Sequence, residues 1–327
     1  MPSSYIPGGI VPRPRLAAAA KDASTRDVPT NFVGPLVMPD TPTDEFAFEA
    51  PIYGADDLEA ADDDTVGRGS DFKEVLISEG SYNVEIGEHG RKFKLTQLDI
   101  AKAQRARVNS PGVNPAAFDL ELRGTNAATR RMMRHNELLI ARLMTTEANY
   151  ATTHVLDPLA AKTSALVREV IAEAAALVEE DAGAPANLVL IGVGARNSLT
   201  NNANFLTLLP EDAIKVLDIP TMTKLVSLAE GGQVMFPTSR VKDRATSVPY
   251  PLWNNHIWVG RVVPDLDGVN ETFGRNWWKP DHRNGQRFYV NQVTLGVQEN
   301  REIGVHTWYR PTITNRDFGV LIPTTDT

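Results

Sequence analysis

Between Tyr82 and Leu95 apolar and polar residues alternate: Tyr82, Val84 and Ile86 first, then Phe93 and Leu95, with Gly87-Glu88-His89-Gly90 between them. A period of two on either side of a glycine-bounded turn predicts a two-stranded hairpin with one apolar side. The incoming half carries Glu79, Glu85 and Glu88, and the outgoing half carries Arg91, Lys92 and Lys94. An isolated hairpin is marginally stable at best, so this one must rest on something else. Thr96 and Asp99 have the spacing of a helix start, opening "DIAKAQRAR".

The pattern then changes to a helical period. Asn114 can cap and Pro115 suits a first turn, so a long helix is predicted over about 114–150. Met132, Met133, Leu139, Ile140, Leu143 and Met144 form its apolar stripe, interrupted by Asn136. Arg130, Arg131, Arg134, Glu137 and Arg142 are interleaved with that stripe, and Gly124 is expected to be a break or weak point. A second helix is predicted from about 158 to 181, with Leu166, Val170, Ala174, Leu177 and Val178 at three- and four-residue steps and Gly183 closing it. Strands follow at "LVLIG", "GQVMFP", "HIWVGRVVP", "RFYVNQVTLGVQ" and "FGVLIP", with a further strand and helix in "DAIKVLDIPTMTKLVSLAEGG".

The first fifty residues show neither period. Proline-rich, with Arg13, Arg15, Lys21 and Arg26, they read as an extended arm or a disordered terminus. Asp56, Asp57, Asp62, Asp63 and Asp64 follow. As a calcium loop this segment fails, because Lys73 stands where a bidentate glutamate is required. A solvated acidic loop is the better reading.

Composition narrows the chemistry. The chain of 327 residues has no cysteine, which excludes disulfides and thiolate-bound metals. Its six histidines form no HxxxH pair, and no metal site is expected. A net charge of −8 disfavours a dedicated DNA-binding protein. All five tryptophans lie in the last third, where core and interface packing is the expected use.

One stretch invites an enzymatic reading. "NLVLIGVGARNSL" supplies Gly192 and Gly194 after an apolar strand, as a dinucleotide phosphate loop would, and Asp218 lies where a ribose-binding acid would sit. The third glycine is replaced by Asn197, the following segment is asparagine-rich, and no βαβ series surrounds it. The two glycines are expected to serve tight turn geometry, no cofactor is expected, and no other catalytic motif is present.

In order, these parts resemble the major capsid proteins of tailed bacteriophages with the Hong Kong 97-like fold, an α+β architecture. The carriers are the arm, the hairpin, the long helix, "GAPANLVLIGVGARNSLTNNANF" and the closing "YRPTITNRDFGVLIP". The resemblance implies an extended N-terminal arm over 1–71 and an E-loop hairpin over 72–98. It implies a P domain over 99–184 and 300–327, containing the spine helix, and an A domain over 185–299. It also implies a subunit that is not an enzyme. Such a subunit self-assembles as hexamers and pentamers into an icosahedral head shell in the host cytoplasm, becoming part of the virion. Its partners would be a separate scaffolding protein (or a leader already removed), a portal and a possible decoration protein, around double-stranded DNA held without sequence-specific binding. No membrane is involved. Glu85, Glu88, Arg91, Lys92, Lys94, Arg131, Arg134 and Arg142 are candidate inter-subunit contacts. Lys92 and Lys94 lie in the loop where some members form a Lys–Asn isopeptide bond, but no covalent cross-link is expected. An encapsulin nanocompartment is the alternative within the same fold, and a dinucleotide-dependent oxidoreductase the alternative outside it.

Overall fold

The computed structural model describes residues 11–26, 32–53, 79–109, 119–157, 167–200, 232–242, 246–264, 272–281, 285–295 and 300–324. The strands are β1 Val11–Pro12, β2 Asp40–Pro42, β3 Ala47–Tyr53, β4 Glu79–Glu85, β5 Gly87–Leu95, β6 Leu188–Ile191 and β7 Gln233–Met235. They continue as β8 Arg240–Lys242, β9 Pro249–Pro251, β10 His256–Gly260, β11 Gly274–Lys279, β12 Tyr289–Leu295, β13 Asn300–Ile313 and β14 Gly319–Pro323. The helices are α1 Pro14–Arg26, α2 Gly34–Val37, α3 Gln97–Asn109, α4 Leu120–Thr145, α5 Val167–Ala182 and α6 Val193–Thr200.

Two sheets organise the molecule. The larger has the order β1-β12-β13-β11-β2, with β5 also pairing β13. The smaller has the order β14-β10-β6-β7. Helix α4 joins their cores. Its first half buries Ala128, Met132 and Met133 with Val290, Ile303 and Val305 of the larger sheet and with Phe288, just before β12. Its second half buries Ile140, Ala141 and Met144 with α5 and the smaller sheet. At 26 residues the helix is roughly 39 Å long. The side chain of Asp119 caps it, accepting from the Leu122 N–H at 3.0 Å. Asn114 and Pro115 lie outside the described residues, and the helix ends at Thr145 rather than near 150.

Gly124 does not break α4. A Cβ there would lie 2.3 Å from Cε2 of Phe93, so the glycine lets the aromatic ring of β5 reach the helix backbone. Helix α5 ends at Ala182, and Gly183 follows with φ +66°, the left-handed cap that the glycine permits.

Three further sequence expectations are corrected. The residues before 72 are not simply an extended arm: β1 pairs with β12, and α1 packs on α4 through Leu16, Ala17 and Ala20. Pro14 in the first turn and a run of four alanines favour that helix. Next, β4 and β5 do not form a hairpin with each other. β4 pairs antiparallel with β3, while β5 pairs with β13 from Leu95↔Arg301 to Gly87↔Tyr309. The expected turn at Gly87–Gly90 is therefore itself strand, and the chain changes sheets at Ile86. Finally, a boundary between 299 and 300 passes between the paired strands β12 and β13. It also separates β14 from its partner β10.

The real hairpin, β3–β4, stands on a small cluster of Ala50, Val84, Ile86 and Trp277. The acidic run Asp56–Asp64, the Glu79 side chain and the expected elements over 201–231 lie outside the described residues.

Candidate assembly surfaces

The predicted contact residues fall into four separate places. Glu85 is exposed at the end of β4, opposite Ala47 of β3. Glu88, Lys92 and Lys94 share one face of β5, and all three meet β13. Glu88 Oε1 lies 2.9 Å from His306 Nδ1, and Glu302 takes Lys92 at 3.1 Å and Lys94 at 3.8 Å. Such exposed pairs are worth about 0–1 kcal/mol each. Arg131, Arg134 and Arg142 lie instead on the exposed side of α4, and none forms an ion pair among the described residues.

Arg91 borders a cavity of about 240 Å³ lined by Glu88, His89, Met132, His135 and Tyr309. The His89 ring stacks on Tyr309 with centroids 4.0 Å apart, and His135 lies 5.4 Å from His89. Burial holds both imidazoles below the ordinary histidine range. His89 is lowered further by His135 and Arg310, and His135 by Arg91 and Arg142. Two of the six histidines, His89 and His135, thus meet where β5 crosses α4. Among the described residues no group of three or more metal-ligating side chains occurs.

Sequence reasoning missed Glu137. Read as one of the charged residues beside the apolar stripe, it is 1% exposed. Its Oε2 accepts from the Gly34 N–H at 2.6 Å. Its Oε1 accepts from the Trp253 Nε1–H at 2.7 Å, the Val33 N–H at 3.2 Å and the Ser239 hydroxyl at 3.2 Å. Burial pushes the carboxyl above the usual range, and the four donors oppose that shift. One helix carboxylate so gathers the segment before β2 and the loops before β8 and β10.

Helix α3 is the opposite case. None of its residues is buried, and Leu98 and Val108 are 63% and 78% exposed.

The glycine-rich stretch is not arranged as a phosphate loop. The β6–α6 junction is covered by residues 253–256: the Val193 and Ala195 N–H groups donate to the Trp253 and Asn254 carbonyls at 3.0 and 3.1 Å. A Cβ on Gly192 would lie 2.2 Å from the Asn254 carbonyl oxygen. Neither Gly192 nor Gly194 has a positive φ, so close approach of this loop, rather than turn geometry, requires them. β10 also runs antiparallel beside β6, unlike a doubly wound nucleotide-binding sheet.

No protein-family model and no curated protein matches the sequence. Solved structures do match it. A phage-related protein from Bordetella bronchiseptica RB50 superposes with a TM-score of 0.72 at 16% identity, over 97% of this chain and 98% of that one. A protein assigned as the capsid protein of a prophage from Escherichia coli CFT073 gives 0.55 at 12% identity, over 97% and 100%. The encapsulin of a complex from Synechococcus elongatus PCC 7942 gives 0.51 at 9% identity, over 89% and 86%. The chain therefore has the Hong Kong 97-like fold, a mixed helix and sheet architecture.

Proposed function

We propose that this chain is the major capsid protein of a tailed double-stranded DNA bacteriophage, a structural subunit that self-assembles into the icosahedral head shell. The observation that carries the reading is end-to-end similarity of fold to a phage-related protein and a prophage capsid protein. The chain's own packing supports it. A hairpin resting on four buried residues and a helix burying none are surfaces that neighbouring copies would cover.

In this reading β3–β4 is the projecting E-loop. The larger sheet with α1 and α4 is the peripheral domain, and the smaller sheet with α5 and α6 the central one. Hexamers and pentamers form through Glu85, Glu88, Arg91, Lys92 and Lys94 at the hairpin root. A separate scaffolding protein, a portal and a possible decoration protein complete the particle, without a covalent cross-link.

Electron microscopy of the purified protein tests this: closed particles are expected, with nuclease-protected DNA in those made during infection. A monodisperse monomer or dimer would overturn it. The encapsulin likeness makes a cargo-storing compartment the second reading. Particles that enclose protein and never DNA would select it.

A further inference from the structure

On the exposed side of α4 every charged residue that the helix itself presents is positive, on an acidic protein. Arg123, Arg130, Arg131, Arg134 and Arg142 are all exposed. At 100° per residue they fall, with Ala127 and Leu138, within roughly 120° of the helix circumference and along roughly 28 Å of its length. Both acids of α4 are turned to other uses: Glu121 holds Arg301 at 2.7 Å, and Glu137 is buried among its four donors. The edge of this face continues past His135 to Arg91 and Arg310, the cations that bear on the two histidines. Glu88, the carboxylate at that cavity, is engaged by His306.

We infer that this arginine face contacts the phosphate backbone of double-stranded DNA, without reading its sequence. Guanidinium groups suit phosphate oxygens through bidentate hydrogen bonds, and every cation on α4 is arginine. The face presents no aromatic side chain on which unpaired bases could stack, so a duplex fits it better than a single strand. Backbone contacts of this kind position a protein but carry no sequence information. The identity of the polyanion rests on the shell reading above, and the face would then be the one turned towards the packaged genome. That role takes the place of an inter-subunit one for Arg131, Arg134 and Arg142.

The test uses the full-length protein and a fluorescein-labelled duplex of about 30 base pairs, followed by anisotropy between 50 and 200 mM salt. Wild type should bind with a steep salt dependence, equally for two unrelated duplex sequences. The triple variant R131Q/R134Q/R142Q should bind at least tenfold more weakly at the lowest salt, with the slope of log K against log salt reduced by about 2 to 3. R240Q/K242Q/R316Q, which removes three exposed cations elsewhere, should bind as wild type does. Thermal melts report whether each variant is folded; if the triple is not, R134Q alone should reduce the slope by about 1. Equal losses in the two triples, salt-insensitive binding, or capture of poly-glutamate but not of duplex would overturn the inference. Particles that assemble from a protein without this binding would remove the inference and leave the shell reading. Binding through the stripe by a protein that never assembles would do the reverse.

Discussion

Glu137 Oε2 and the backbone N–H of Gly34 lie 2.6 Å apart, joined across 103 residues of sequence. A Cβ on Gly34 would sit 2.5 Å from that oxygen and 2.8 Å from Cδ1 of Ile140, so glycine is required for the contact. Glu137→Gln should destabilise the folded subunit by about 1–3 kcal/mol, because an amide NH2 must face one of the four donors. Gly34→Ala should lose a similar amount by a different route, pushing the segment before β2 away from α4. Denaturant titration of both variants checks this. A Gln variant as stable as wild type would mean that the carboxylate is protonated in the folded protein.

Gly124 and Phe93 form the second close approach. Gly→Ala inside a helix ordinarily gains about 1 kcal/mol of propensity. Here the added methyl would meet the Phe93 ring at 2.3 Å, and overpacking costs about 1–3 kcal/mol. Gly124→Ala should therefore be destabilising, and pairing it with Phe93→Leu should recover part of the loss. A stabilised single variant, seen in thermal melts, would contradict this packing.

The histidines at the β5–α4 crossing give a pH dependence of defined sign. Both have folded pKa values below the 6.5 of a free imidazole. The unfolded chain therefore binds protons first on acidification. The stability of the neutral pair is fully present above about pH 6.5 and is lost as pH falls towards the folded values. His135→Gln should reduce the difference in Tm between pH 7.5 and pH 5.5. An unchanged difference would place the acid sensitivity elsewhere.

Lys92 and Lys94 already meet Glu302 within one subunit, so a single loss there is ambiguous. K92E/K94E should cost the isolated subunit about 1 kcal/mol or less, and adding E302K should restore that pairing. If these lysines contact neighbouring copies, particle yield by sedimentation should remain depressed in the triple variant. Recovery of particles together with stability would confine the lysines to an intramolecular role.

The Gly192 backbone packs against Asn254. Gly192→Ala should displace the loop carrying Trp253 and change its fluorescence, with a loss of about 1–3 kcal/mol. An unchanged spectrum and melting curve would show that the loop yields without cost.

Local periodicity made α4, α5, β6, β10, β12 and β14 legible in the sequence, because each buries a regular stripe or run against a core. Pairing partners were not legible. The alternation from Tyr82 to Leu95 is the same whether β5 bonds to β4 or to β13, and the choice is made by strands more than 200 residues away. Helix α1 carried a usable signal, Pro14 before an alanine run, obscured by the surrounding prolines. Glu137 was recoverable too: steps of four, three and seven residues place it with Met133, Ile140 and Met144 on the buried side of α4. The charged contacts were legible as charges, but their division among four places follows from sheet topology.

β13 is the axis of the larger sheet, pairing with β12, β11 and β5, and β14 is an edge of the smaller one. During synthesis β5, β11 and β12 therefore wait for a centre strand that is made after all of them. Sheets closed by such distant strands form late and slowly. A chain that stops before Asn300 thus cannot close the larger sheet, whatever elements it has already made.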